Sequence, residues 1–301
     1  MPADIGHRER TEPTSRHIPL GTGLTYHVLE WDEPASQRDH TVVLIHGFLD
    51  NAWGFERVVS AGLAGAFHVV APDMRGHGDS DRVGAGGYYH FFDYVADLHE
   101  IIRTLGRERV SLVGHSMGGT IAGYYAGSFP AAIQRLALLE GLGPPEPDTP
   151  MPERVRRWIS GWRRGLSRAP SSYATLDDAA EALRSRDPRI GRDYALELAS
   201  RSTTRLDSGR YRFKHDPLHT TTGPYPFRVD LAVQLWEAMA CPTLLVDGEE
   251  SELGIPDADL RRRTESFKDA RRVALPGAGH MMQRHRPEAL AAVLLDFLSA
   301  G

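Results

Sequence analysis

The stretch Val110-Ser-Leu-Val-Gly-His-Ser-Met-Gly-Gly119 carries the strongest chemical signal in the chain. An apolar run leads into Gly114-His115-Ser116-Met117-Gly118, and a segment rich in small residues follows. Gly-x-Ser-x-Gly between a strand and a helix is the pattern of a nucleophile turn. The turn is so tight that side chains two residues either side of Ser116 would collide, and glycine removes them. Ser116 is then exposed at the strand end, where the next helix aims its first N–H groups at developing negative charge. Such a serine needs a base. His280, in Leu275-Pro-Gly-Ala-Gly-His-Met-Met282, sits between the last apolar run and the C-terminal helix, from where an imidazole can reach Ser116.

A second turn, Leu44-Ile-His-Gly-Phe-Leu-Asp-Asn51, also follows an apolar run. The backbone N–H groups of Phe48 and Met117 are expected to form an oxyanion hole beside Ser116. Asp50 or Asn51 would cap the helix that starts there. His46 and His115 read as supports of their turns. His77, in Asp73-Met-Arg-Gly-His-Gly-Asp-Ser80, reads as structural, and with Asp73 it makes no convincing metal set. No phosphate-cradling loop or dinucleotide fingerprint is visible, so no cofactor is expected.

These residues need a rigid frame. Short segments rich in Val, Ile and Leu recur at 24–29, 41–45, 67–71, 110–113, 135–139, 242–246 and 271–275. Continuous apolar runs of that length suit strands covered on both faces. Helical patterns fall between them at 51–61, 92–104, 117–127 and 286–299. The fold class expected is therefore α/β, a mostly parallel central sheet with helices on both faces. The rhythm breaks at 142–235, where a proline-rich stretch precedes polar helical patterns at 150–166, 175–186 and 190–202, with no strand pattern before Leu244. This is expected to be a helical cap inserted before the penultimate strand. The division expected is a flexible tail over 1–16, core over 17–141, cap over 142–235 and core again over 236–301. Trp158, Ile159 and Trp162 share one helix face, which either packs on the main domain or lines an acyl or aromatic pocket. Trp158 and Trp162, with Tyr88 and Tyr89, are the candidate substrate contacts.

The chain has 301 residues and a net charge of -5, with 35 basic against 40 acidic side chains. That balance disfavours a nucleic-acid partner. The cluster Arg154, Arg156, Arg157, Arg163, Arg164 and Arg168 reads as a solvated helix face, with an anionic-ligand or membrane-surface patch as the alternative. Cys241 is the only cysteine, so an internal disulfide is impossible. The polar start carries no secretory pattern, and no run of 18 apolar residues would span a membrane. A cytoplasmic protein is expected, with a small acyl substrate as partner, no stable membrane insertion and a homodimer left open.

Taken together, HGFLDNAWGF (46–55), PDMRGHGDS (72–80), FFDYVADLHEII (91–102), SLVGHSMGG (111–119), AGSFP (126–130) and LLEGLGP (138–144) resemble the α/β-hydrolase superfamily. The resemblance runs from about residue 17 to the end and is narrower toward the serine-hydrolase-like esterases. FKHDPLHTTTGPYPFR (213–228) is more loosely similar to a cap-exit segment of that group. The resemblance implies an acid after the strand ending near Asp247, with aspartate at 251, but this chain has Ser251. Some members of the group place the acid after the preceding strand, which here is Glu140. Glu249, Glu250, Glu252 and Asp247 remain alternatives.

A serine nucleophile acts on a carbonyl, so acyl transfer follows and carboxylic ester hydrolysis leads. Thioester, lactone, amide or carbon–carbon bond hydrolysis would use the same three residues. A catalytically degenerate small-molecule binder is the competing class, and the missing aspartate at 251 is its best support.

Overall fold

The computed structural model describes residues 11–31, 39–167 and 170–300. Eight strands form one sheet in the order β1-β2-β4-β3-β5-β6-β9-β10. They are β1 (Thr14–Pro19), β2 (Thr25–Trp31), β3 (His40–Ile45), β4 (His68–Pro72), β5 (Arg109–His115), β6 (Leu136–Leu139), β9 (Thr243–Gly248) and β10 (Ala270–Leu275). From β4 to β10 neighbours run parallel, while β1 and β2 pair antiparallel at one edge. β3 shows why its sequence does not alternate. Val43 and Ile45 enter one core, Val42 and Leu44 the other, and all four are fully buried. The first core lies under α3 (Phe91–Leu105), α4 (Met117–Ser128) and α8 (Val229–Ala238); the second lies under residues 52–67 and α11 (Pro287–Ser299).

Several local expectations differ from the structure. Residues 14–16 belong to β1 rather than to a loose tail; residues 1–10 of that tail lie outside the described residues. β1 buries only Ile18, so an edge strand of this kind leaves no apolar alternation to read. The helix expected over 51–61 is a chain of short turns over 52–66. It includes α1 (Glu56–Val58) and α2 (Ala64–Ala66), and Gly62 at φ 147 interrupts the regular path.

The insertion before β9 comprises α5 (Met151–Ser167), α6 (Leu176–Arg186), α7 (Arg192–Ser202) and a hairpin of β7 (Thr203–Arg205) with β8 (Tyr211–Phe213). The hairpin was not visible in the sequence, because three-residue strands are too short to set a period. Ala179, Ala195, Leu198, Ala199 and Phe213 give the insertion a small core of its own. α8 leaves the insertion for the main body: Ala232 and Trp236 are fully buried in the sheet's core, and an added Cβ on Gly127 of α4 would meet Leu235 O at 2.1 Å. The boundary read at 235 falls inside this helix. After β9 come α9 (Asp257–Thr264) and, before α11, the short α10 (Met282–His285). Among the described residues, no helix is long and apolar enough to cross a membrane.

Candidate active site

Ser116 stands between the end of β5 and the start of α4, at φ 53 and ψ −118, a backbone state that L-residues rarely adopt. Its N–H donates to Leu139 O at 2.9 Å, which ties the turn to neighbouring β6. The glycines around it are required by distance. A Cβ on Gly114 would lie 2.4 Å from Gly118 O, and one on Gly118 would lie 2.2 Å from Ile45 O. Both obstacles are backbone, so neither position has room for a side chain.

His280 reaches this turn from the loop after β10. Its Nε2 lies 3.1 Å from Ser116 Oγ, and its Nδ1 lies 2.7 Å from Glu140 Oε2. With a carboxylate at Nδ1 the ring proton belongs there, which leaves the Nε2 lone pair facing the serine hydroxyl. Glu140 follows β6 directly at φ 46. Its Oε1 accepts the Gly248 N–H at 2.8 Å, and its Oε2 accepts the Ser251 hydroxyl at 2.8 Å. Burial opposes its ionisation, yet the hydrogen bonds from His280, Gly248 and Ser251 outweigh burial and hold its carboxyl below the usual range.

Ser251 therefore has a use that the sequence reading missed. It stands where the resemblance implied an aspartate, and it donates to the carboxylate that has taken that place. The other carboxylates considered for the acid lie elsewhere. Asp247 bonds Arg272 at 2.5 Å, Glu250 bonds Arg189 at 2.8 Å, and Glu249 and Glu252 are exposed. Among the described residues, Glu140 is the carboxylate bonded to His280.

Buried polar groups fix the surrounding turns. His115 Nε2–H donates to His280 O at 2.8 Å, and burial together with nearby His280 pushes its pKa down to about 4. It is a neutral strut beneath the His280 loop. His46 Nδ1–H donates to Gly47 O at 2.7 Å while its Nε2 accepts Met74 N–H at 2.9 Å. His77 Nε2 accepts Leu49 N–H at 3.2 Å, and burial keeps its pKa well below the ordinary value. Asn51 caps the turn through Trp53 N, whereas Asp50 forms a buried ion pair with Arg284 at 2.8 Å. Asp73 accepts from His27 Nδ1, Asp79 N and Ala52 N, each at 2.8 Å, and so ties three segments together.

A cavity of about 810 Å³ opens over Ser116. Phe48, Met117, Tyr124, Met151, Phe227 and Leu231 are among its lining residues, and Glu140 lies at its base. Met117 is the first residue of α4, where the N–H has no intrahelical acceptor, and Phe48 lies in the adjoining turn. The four aromatic residues expected to contact substrate are not among the lining residues of this cavity. Trp158 and Trp162 stack on one another at 5.3 Å and pack on Tyr88, whose hydroxyl bonds Thr221. Tyr89 lies 3.8 Å from the His219 ring and donates to Asp216 at 2.8 Å. All four join the insertion to the main body. The lining instead draws on 225–228, whose only sequence signal is the loosely similar cap-exit segment, and on Leu231, which lies beyond that segment.

A family model described as alpha/beta hydrolase fold matches residues 40–287. The chain belongs to the α/β-hydrolase family. A serine hydrolase-like protein of Danio rerio is 27% identical to this α/β-hydrolase over 272 residues, covering 85% of this chain and 81% of the relative. A hypothetical protein from Pseudomonas aeruginosa PAO1 superposes with a TM-score of 0.82 at 28% identity, covering 96% of this chain and all of that one (100%). The thioesterase domain from the curacin biosynthetic pathway superposes with a TM-score of 0.79 at 26% identity, covering 94% and 99%.

Proposed function

We propose that this α/β-hydrolase cleaves a carboxylic ester through an acyl-enzyme on Ser116. The observation that carries the reading is the continuous hydrogen-bonded chain Ser116–His280–Glu140 at the base of a largely apolar cavity. In the first half-reaction Ser116 Oγ attacks the ester carbonyl while His280 Nε2 takes its proton. The carbonyl oxygen becomes an oxyanion, for which the N–H groups of Phe48 and Met117 are the donors; one such donor is worth ~10²–10³ in rate. Collapse breaks the bond to the alkoxy group, which leaves with the proton from His280. Water then attacks the acyl carbon, gives its proton to His280 and releases the acid and free Ser116. Glu140 keeps the imidazole oriented and stabilises its cationic form.

A cavity of about 810 Å³ suits a small acyl group with an apolar chain. Thioester cleavage is the second reading, favoured by the likeness to the curacin thioesterase domain. The proposed setting is the cytoplasm, in keeping with a lone, buried Cys241. The test is labelling by a fluorophosphonate probe together with turnover of p-nitrophenyl acyl esters and the matching acyl thioesters. Labelling that disappears in Ser116→Ala and His280→Ala is expected. A protein that neither labels nor turns over either series is a ligand binder, and the reading fails.

A further inference from the structure

The inserted segment holds a second cavity, of about 1020 Å³, bounded by α5, the end of α6, β8 and residues 215–222. Its lining on α5 recurs at helical spacing through Glu153, Arg157, Ser160 and Arg164, so one face of that helix fronts it. Arg156 joins them, and Arg186 of α6 and Arg212 of β8 bring the lining arginines to five. Glu153 is the only carboxylate among the lining residues, and it bonds Arg157. Arg168 of the same cluster lies outside the described residues.

The cavity arginines Arg156, Arg157, Arg164 and Arg186 are themselves exposed to solvent, and two arginines outside the cavity are paired. Arg184 pairs with Glu181 and Arg192 with Asp177. Among the described residues no carboxylate pairs with Arg156, Arg164, Arg186 or Arg212; the buried Nε of Arg212, like that of Arg184, has no hydrogen-bond partner. Burial, with Arg186 and Arg82 nearby, pushes the His215 imidazole at this cavity down to about 4. Four of the five lining guanidinium groups have no carboxylate partner among the described residues, so the cavity gathers positive charge that a bound anion would offset.

We propose that this cavity binds a soluble small molecule bearing at least two phosphate groups. Guanidinium forks match phosphate oxygens two at a time, and the Ser160, Ser171 and Thr220 hydroxyls add donors beside them. No lining residue is shared with the cavity over Ser116, so the anion sits apart from the reacting ester. The site stands whether or not Ser116 forms an acyl-enzyme.

The test is calorimetric titration of the full chain with inorganic pyrophosphate, with orthophosphate and anionic-lipid vesicles as comparisons. Saturable pyrophosphate binding tighter than ~1 mM is expected, and weaker orthophosphate binding. Arg164→Gln with Arg186→Gln should weaken it at least tenfold, while fluorophosphonate labelling and the circular dichroism spectrum stay unchanged. Arg184→Gln with Arg192→Gln removes the same charge outside the cavity and should leave binding intact. Arg156→Gln alone gives a second, milder variant should the first pair fold poorly. Absence of saturable binding, equal loss in both double variants, or vesicle binding that pyrophosphate does not displace would each overturn the proposal.

Discussion

The floor and the roof of the Ser116 cavity are built by different means. The floor is the row of strand ends of β3, β5 and β6, which are neighbours in the sheet. Just beyond each end stands a non-glycine residue with positive φ: Leu49 at 59°, Ser116 at 53° and Glu140 at 46°. These are the only such residues among those described; Ser116 and Glu140 line the cavity, and Leu49 follows its lining residue Phe48. Backbone held in this region costs ~1–3 kcal/mol per residue, so the buried sheet beneath must enforce it. The roof draws on the inserted segment and α8, and the insertion is tied to the main body mainly by side chains. Asn51 bonds Ser202, Arg57 pairs with Glu197, Lys214 with Asp79, and Tyr89 with Asp216. The proposed chemistry thus rests on backbone geometry, and the proposed selectivity on replaceable side chains.

Substitutions should follow that division. Ser116→Ala is expected to lower ester turnover by at least ~10⁴-fold with the fold intact, as judged by circular dichroism. Glu140→Gln should cost ~10³–10⁴-fold in kcat through loss of the imidazole's orientation. Adding Ser251→Asp to Glu140→Ala should recover at least tenfold over Glu140→Ala alone, because the two positions share the bond to one carboxylate oxygen. No recovery would show that the site accepts its acid from β6 only. Ser251→Ala removes one of the contacts on Glu140 and should cost ~10-fold. It should also raise the acid limb of the pH–rate profile, since a bond holding that carboxyl low is gone. On the roof, Leu231→Ala should change KM for long-chain esters by no more than ~10-fold and leave kcat alone. A loss in kcat there as large as that of Glu140→Gln would break the distinction between floor and roof.

Acid should loosen the molecule in two stages. His115 and His219 titrate at about 4 in the folded chain because burial disfavours their charged forms, and His77 is also depressed. Unfolded, such groups protonate near ~6.5. Between ~6.5 and ~4 the unfolded chain binds more protons, so stability falls as pH falls. Asp50, Asp73 and Glu140 have folded pKa values below the ordinary range. Their contribution is present above their unfolded pKa of ~4 and is lost as pH falls through the folded values. Urea midpoints measured from pH 7 to pH 3 check both stages; a midpoint flat from pH 7 to 4.5 would refute the histidine contribution.

The order of buried strands, Ser116 in its glycine-flanked turn and His280 in its loop were legible because each leaves a local mark. A doubly covered strand must be apolar throughout, and a tight turn must shed Cβ atoms. Substrate contacts left no such mark. Tyr88, Tyr89, Trp158 and Trp162 are all aromatic, and the two tryptophans are helically spaced, yet the four pack where the insertion meets the main body, since aromatic surface stabilises a domain junction as readily as it lines a pocket. The β7–β8 hairpin and the edge strand β1 were too short or too exposed to show a period.

Sequence by itself determined that an α/β sheet presents Ser116 and His280 on loops that follow two of its strands, because each loop and its strand are written in residues adjacent along the chain. Which carboxylate meets His280 was decided only by tertiary structure. Glu140 and Ser251 are separated by 111 positions, yet the pairing of β6 with β9 brings them to one hydrogen bond. A deviation at one strand end was answered at its neighbour, and only the folded sheet makes those ends adjacent.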